Sequence, residues 1–117
     1  KSGMLRVIDL EYFGWDDPVK LASDFCWHPG MTLDQQMRDK WIHAVTDIFA
    51  RDKSFTARLR AAHPLYGLRW AMIVLNPFLT SQHSSSISTE VLRSQLEKSV
   101  GLCRCATLWI ENEPTSF

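Results

Sequence analysis

The sequence is poor in cysteine, and the few cysteines present form no framework. Cys26, Cys103 and Cys105 are an odd number without the spacing of a disulfide scaffold, which favours a reduced, cytoplasmic setting. Only one residue separates Cys103 from Cys105, whereas zinc sites place about two to four residues between paired cysteines and need further ligands. The cysteines therefore argue against a disulfide-stabilised extracellular domain and against a zinc site.

The chain also lacks an excess of charge of either sign. Its 13 Lys and Arg residues equal its 13 Asp and Glu residues, so neither a nucleic-acid partner nor an anionic membrane is expected. The densest apolar run, Leu65 to Leu79, is too short to span a bilayer and contains Arg69. It predicts a buried core helix, and the N-terminus has no signal-peptide pattern.

With 117 residues and 45% apolar residues, the chain predicts one folded, mainly α domain. A helix is expected from Pro18 to about Trp27, with Asp17 as its cap. A second helix, capped by Thr32 or Asp34, has the periodicity of an amphipathic helix. Its predicted buried stripe is Leu33, Met37, Trp41, Ala44, Val45, Ile48 and Phe49.

The second half of the chain predicts more helices separated by breaks. A short helix with Phe55, Leu59 and Ala62 should end before His63-Pro64, and the buried helix should then run until Pro77 ends or kinks it. The Ser-rich stretch 80–89 predicts a flexible loop, and Ser88 or Thr89 should cap a last helix that Gly101 closes. Residues 102–110 fit helix or strand, and 111–117 predict a loose tail.

The most informative stretch is Val7 to Pro18, in which an apolar run leads into two acidic residues. Met4 to Leu10 predicts a strand, on which Asp9 and Glu11 would lie on the same side. Carboxylate oxygens suit Mg²⁺, which usually takes one or two of them together with phosphate oxygens and water. Asp9 is thus a candidate metal ligand, with a turn or capping role as the alternative. Glu11 could hold a second metal or a water, or form a salt bridge.

This stretch resembles the metal-binding segment of aminoglycoside phosphotransferase-like and choline kinase-like enzymes. The resemblance rests on Asp9 and Glu11, on Gly14, and on the Asp-Asp-Pro turn before a helix carrying Leu21 to Phe25. It is specific over residues 4–28 and looser to about residue 80. It implies that Asp9 binds Mg²⁺ on the phosphates of ATP, with Glu11 beside this cofactor site.

The resemblance also implies what the sequence does not contain. Only eight residues precede Asp9, so a His-x-Asp-x-x-x-x-Asn catalytic loop and an ATP-binding Lys on an N-terminal lobe are missing. The chain is therefore expected to be the C-terminal lobe of a kinase-like α+β fold, inactive by itself. Its expected parts are the metal-binding strand and turn at 1–16, a helical region at 17–110 and a tail at 111–117.

Several further side chains carry open interpretations. Asp16 and Asp17 are expected to be turn and cap residues. Asp24 is either a residue that bonds backbone donors near the metal loop, as the resemblance implies, or an exposed helix acid. The tryptophans are expected to pack in the core and between helices, with a substrate pocket lined by some of them as the alternative. The core set is Trp15, Trp27, Trp41 and Trp70, and the pocket set is Trp27, Trp41 and Trp70.

Two functions follow from these observations. The first is the C-terminal lobe of an ATP- and Mg²⁺-dependent phosphotransferase acting on a small hydroxyl-bearing acceptor. The alternative is a non-catalytic helical interaction domain derived from such a fold. Because strand 4–10 would lack its hairpin partner, the chain is also expected to pair through it with a second copy or with the missing N-terminal part of the kinase.

Overall fold

A computed structural model describes residues 14–31, 33–80 and 87–111. This part of the chain is mainly helical and contains no strand. Its helices are α1 (Pro18–Trp27), α2 (Gln35–Ile48), α3 (Phe55–Val74), α4 (Asn76–Thr80) and α5 (Thr89–Glu111). The predicted strand Met4 to Leu10, most of the Ser-rich loop and the last six residues lie outside the described residues.

Local capping chemistry sets where three of the helices begin. The carboxylate of Asp17 accepts a hydrogen bond from the backbone N–H of Val19, directly ahead of Pro18 at the first helical position. Asp34 caps α2 in the same way through the N–H of Met37, and the hydroxyl of Ser88 accepts from Val91 at the start of α5. These starts confirm the predicted caps, since side-chain oxygens satisfy N–H groups that have no partner within the helix.

Helix α3 is the centre of the fold, and its largest interfaces are those with α5 and α1. Phe55 and Leu59 of α3 are fully buried, and burial of such side chains contributes about 1.5–3 kcal/mol each. They belong to a core that α1, α2 and α3 build together. Its buried members are Val19, Ala22, Cys26, Ile42, Val45, Phe55 and Leu59, with Trp41, Phe49, Ala62 and Tyr66 packed against them.

The expected break at His63-Pro64 is wrong, because α3 continues through Pro64. Proline removes one backbone hydrogen bond from a helix interior and normally destabilises it. Here a single buried stripe runs along α3 on both sides of the proline, so its packing offsets that loss. The stripe consists of Phe55, Leu59, His63, Gly67, Ala71 and Val74.

The sequence predicted that Gly101 ends the last helix. This prediction is wrong, because α5 continues to Glu111. Glycine in a helix interior costs about 1 kcal/mol relative to alanine. Ser99 and Ala106 are both buried on the face that packs against the rest of the fold. This packing continues past Gly101, and the ambiguous residues 102–110 are therefore helical.

Three expectations about burial are wrong in part. In the predicted α2 stripe Val45 is buried, and Trp41 and Phe49 pack against the core. Met37, Ala44 and Ile48 are exposed instead, while the buried Ile42 was not expected in the stripe. In the run from Leu65 to Leu79 only one face is buried, and Leu65, Leu68, Met72 and Leu79 are exposed. Trp15 is fully exposed rather than packed in the core. Apolar composition predicted these helices but did not identify which face each one buries.

No helix among the described residues combines the length and the apolar character needed to cross a lipid bilayer.

Candidate functional site

The candidate site is the entry into α1, where the chain arrives from the predicted metal-binding segment. Asp9 and Glu11 themselves lie outside the described residues. The described chain begins at Gly14 and reaches the first turn of α1 within a few residues. A cleft of about 340 Å³ opens here, lined by Gly14, Asp16, Asp17, Pro18, Lys20, Leu21 and Asp24.

Asp17 joins the start of α1 to the first turns of α3. One carboxylate oxygen accepts from the backbone N–H of Val19 at 3.0 Å and from Nη2 of Arg58 at 3.1 Å. The other accepts from Nε of Arg58 at 2.9 Å. The Arg58 hydrogen bonds, followed by the Val19 amide, hold the pKa of Asp17 below its usual value. This two-point geometry is the strong form of an arginine–carboxylate contact.

Arg58 also reaches the turn that precedes α3. Its Nη1 lies 3.0 Å from a carboxylate oxygen of Asp52 and donates to the hydroxyl of Ser54. Asp52 in turn accepts from both the backbone N–H and the hydroxyl of Ser54. These Ser54 bonds, and then the Arg58 bond, lower the pKa of Asp52. Arg58 therefore ties α1 to the turn before α3 through two carboxylates.

Asp16 makes a separate and more exposed ion pair on the outer side of the same turn. Its carboxylate lies 2.7 Å from Nζ of Lys20, one helical turn along α1, and it also accepts from the backbone N–H of Asp17. The Lys20 bond lowers the pKa of Asp16 and raises the pKa of Lys20. Asp16 and Asp17 are thus turn and cap residues, which confirms their predicted roles.

Asp24 fixes the other end of α1 to α3. Both its oxygens accept from Nη1 of Arg69, at 2.8 and 3.0 Å, and one also accepts from the indole N–H of Trp70 at 2.9 Å. The Arg69 guanidinium lies 5.9 Å from the ring centroids of Tyr66 and Trp70. Asp24 is therefore neither a free exposed acid nor bonded to backbone donors within the described residues. Residues 9–11, near which the resemblance places Asp24, are not among them.

The charges around the cleft are balanced in pairs. Asp16 faces Lys20, Asp17 faces Arg58, and Asp24 faces Arg69. Within residues 14–31, 33–80 and 87–111, no three His, Cys, Asp or Glu side chains come close enough together to hold a metal ion. The described part of the site thus anchors the segment that follows Asp9 and Glu11. Its carboxylates form ion pairs that hold α1 in place.

The three tryptophans proposed as a substrate pocket do not line this cleft. Trp41 packs on Phe25 with ring centroids 4.2 Å apart and donates its indole N–H to the carbonyl of Ala22. Trp70 donates to Asp24, as described above. Trp27 is buried against Gly67, where an added methyl group would approach its ring to 2.9 Å. Each indole packs within or between helices, as the expectation of core and inter-helix packing for Trp27, Trp41 and Trp70 proposed.

Sequence reasoning missed a buried polar contact between α1 and α3. His63 is 4% exposed, and its Nδ1 lies 3.2 Å from the hydroxyl of Ser23, which is fully buried. Burial, and to a smaller degree the charge of Arg38, lowers the pKa of His63 to about 4. The available signal was the position of His63 within the apolar run Ala61-Ala62-His63-Pro64-Leu65, which is typical of a buried histidine.

Comparisons with protein-family models, with curated proteins and with solved structures find no match to this chain.

Proposed function

We propose that this chain is the C-terminal helical lobe of an ATP- and Mg²⁺-dependent small-molecule phosphotransferase of the aminoglycoside phosphotransferase-like and choline kinase-like type. The observation that carries the proposal is the stretch from Val7 to Pro18, in which two acids follow an apolar run and precede a helix start. In this proposal Asp9 binds Mg²⁺ and Glu11 lies beside the same ATP site. The setting is the reduced cytoplasm.

The described geometry supports this proposal through the anchoring of α1. Phosphoryl transfer depends on positioning and charge neutralisation more than on covalent chemistry by the protein. A metal ligand is useful only where the chain that carries it has a fixed place. Asp17 and Asp24 hold the two ends of α1 on α3 through Arg58 and Arg69. The segment that follows Asp9 therefore enters a helix that is held on the core.

The remaining chemistry belongs to groups outside this sequence. The general base and the lysine that holds the ATP phosphates are assigned to a preceding part of the enzyme, since the 117 residues contain no His-x-Asp-x-x-x-x-Asn segment. The acceptor is a small molecule with a hydroxyl group, and the helices after Pro18 form part of the acceptor side. By itself the chain should bind Mg²⁺–ATP weakly and transfer no phosphate.

Paramagnetic NMR on the isotope-labelled chain tests the metal assignment. Mn²⁺, which takes the oxygen ligands of Mg²⁺, broadens the signals of nuclei near its site and detects weak binding. In the presence of ATP, we expect broadening to centre on residues 7–11 and to disappear in Asp9→Asn. The matched control is Asp16→Asn, which removes a nearby carboxylate already paired with Lys20 and should leave the broadening unchanged.

Two results would contradict the proposal. One is broadening that Asp9→Asn leaves intact, which would place the metal elsewhere. The other is loss of the Mn²⁺ broadening in Asp16→Asn but not in Asp9→Asn, which would show that the exposed turn binds the ion. Phosphoryl transfer by the enzyme that includes the catalytic loop gives a second readout, in which Asp9→Asn should lower kcat by orders of magnitude without loss of folding.

A second candidate, a non-catalytic helical interaction domain, is favoured by one observation. The outward face of α3 is apolar, with Leu65 and Met72 exposed by 60% and 72% and Leu68 by 37%. An apolar face of this kind is typical of a helix that packs against another protein element. In this alternative, residues 4–10 or the α3 face mediate association, and Mn²⁺ should cause no localised broadening near Asp9.

A further inference from the structure

His63 connects three helices at one buried point. It belongs to α3, and its ring packs between an indole of α1 and an indole of α5. The ring centroids of Trp27 and Trp109 lie 5.1 and 4.4 Å from that of His63. Ser23 of α1 supplies the hydrogen-bonding hydroxyl. We call this group, formed by Ser23, Trp27, His63 and Trp109, the His63 junction.

Burial makes the His63 junction unfavourable for a positive charge. The groups that face the imidazole are the hydroxyl of Ser23 and the indole of Trp27 from α1, and the indole of Trp109 from α5. Among the described residues, the ionised group that acts on it is Arg38 of α2, which is itself cationic. A charged imidazolium would therefore be buried and repelled by the charge of Arg38, and no carboxylate among the described residues balances it.

The three elements of the junction differ in how exposed they are around His63. The Asp17–Arg58 and Asp24–Arg69 ion pairs tie α1 to α3 at both ends of α1. Trp109 lies in the last turn of α5, where Leu108, Ile110 and Glu111 are exposed. Helix ends open more easily than the elements they pack on. We therefore expect movement of the last turns of α5 to bring water to His63.

We propose that the His63 junction is an acid-sensitive contact, in which protonation of His63 releases the C-terminal turns of α5 from a folded α1–α3 body. No covalent step is involved, and the proton comes from solvent. The proposal is independent of the phosphotransferase assignment.

The sign of the effect follows from the pKa of His63. Its value of about 4 in the folded protein lies below the ordinary value of 6.5, so the opened form binds protons more readily than the closed form. The closed contact is therefore fully stable above about pH 6.5 and weakens as the pH falls through the window down to about 4. Raising the pH above this window should add nothing.

Amide hydrogen exchange, expressed as protection relative to intrinsic rates at each pH, tests the proposal. The pKa of His63 is about 4 in the closed form, and we take the ordinary value of 6.5 for the opened form. For residues 102–111 of the wild-type chain, these two values give a fall in protection of about twentyfold between pH 7 and pH 5. Residues 55–74 should keep their protection over the same range. In His63→Phe, which keeps an aromatic ring but cannot take a proton, the fall at 102–111 should be absent. His43→Gln removes an exposed histidine of α2 and should behave as wild type.

Two outcomes would overturn the proposal: an equal pH response in wild type and His63→Phe, or simultaneous loss of protection in α1, α3 and α5. Should His63→Phe fail to fold, the ring signals of His63 in the wild-type chain decide instead. Titration of that ring below pH 5.5, together with loss of protection at 102–111, supports the acid-sensitive contact. Titration near 6.5 with 102–111 still protected refutes it.

Discussion

Asp17 and Arg58 lie 41 positions apart in the sequence and meet through two hydrogen bonds, of 2.9 Å to one carboxylate oxygen and 3.1 Å to the other. The same carboxylate caps α1 through the N–H of Val19. One side chain thus fixes both where α1 begins and where it lies on α3. This relationship links the local chemistry of the turn to the arrangement of the core helices.

The cap and the ion pair of Asp17 should be separable by substitution. Asp17→Asn retains an oxygen that can cap α1 but removes the charge, whereas Asp17→Ala removes both. We expect the alanine variant to be less stable than the asparagine variant by about 1 kcal/mol in urea unfolding, the usual contribution of an N-cap. Equal stability of the two variants would show that the oxygen of residue 17 does not cap the helix.

The ion pair itself should make a larger contribution than its exposed neighbour. Arg58→Ala breaks contacts with Asp17, Asp52 and Ser54 together, and it should lower the melting temperature more than Lys20→Ala. Lys20 is a suitable control because its partner Asp16 lies on the same turn, in a simple exposed pair that contributes little. A larger effect from Lys20→Ala would contradict the bridging role of Arg58.

Position 67 should not tolerate a side chain, whereas position 101 should accept one. A methyl group at Gly67 would lie 2.9–3.0 Å from ring atoms of Trp27, while one at Gly101 would meet nothing within 4 Å. We expect Gly67→Ala to destabilise the fold by about 1–3 kcal/mol, as overpacking does. Gly101→Ala should stabilise it by up to about 1 kcal/mol through helix propensity. Chemical denaturation of both variants gives the comparison, and stabilisation by Gly67→Ala would be inconsistent with the α1–α3 packing.

Trp41 should contribute through both its ring and its indole N–H. Trp41→Ala removes the contact with Phe25 and the bond to Ala22, and should cost roughly 3 kcal/mol, the lower end for a truncated tryptophan because Trp41 is half-buried. Trp41→Phe removes the hydrogen bond and should cost about 1 kcal/mol or more. Met37→Ala, at an exposed position of the same helix, is the control and should change stability by less than about 0.5 kcal/mol.

Cys26 should react with alkylating agents much more slowly than the other two cysteines. Its side chain is buried, and burial raises the pKa of its thiol to about 11, so little thiolate forms at pH 8. Cys105 is exposed and Cys103 half-buried. Mass spectrometry after iodoacetamide treatment should find Cys105 modified first and Cys26 modified only when denaturant is present. Early modification of Cys26 in the native protein would contradict the position of α1 in the core.

Part of the candidate site was predictable from the sequence. Asp17 followed by Pro18 is a strong local signal for a helix start, and the structure confirms it. The partner of Asp17 was not predictable. Arg58 lies 41 residues away, and nothing in the sequence distinguishes it from the other arginines. The same holds for Asp24, whose partners Arg69 and Trp70 come from another helix. The assignment of Asp9 and Glu11 to a metal site stays a prediction.

The mainly helical character of the chain and the starts of α1, α2 and α5 follow from local sequence signals, since capping acts over two or three residues. Tertiary packing carries α3 through Pro64 and α5 through Gly101, because there the burial of a continuous helix face outweighs a local penalty. It also decided which side of each helix is buried, and it placed His63 between two tryptophans. These outcomes depend on packing between distant segments, which no local pattern encodes.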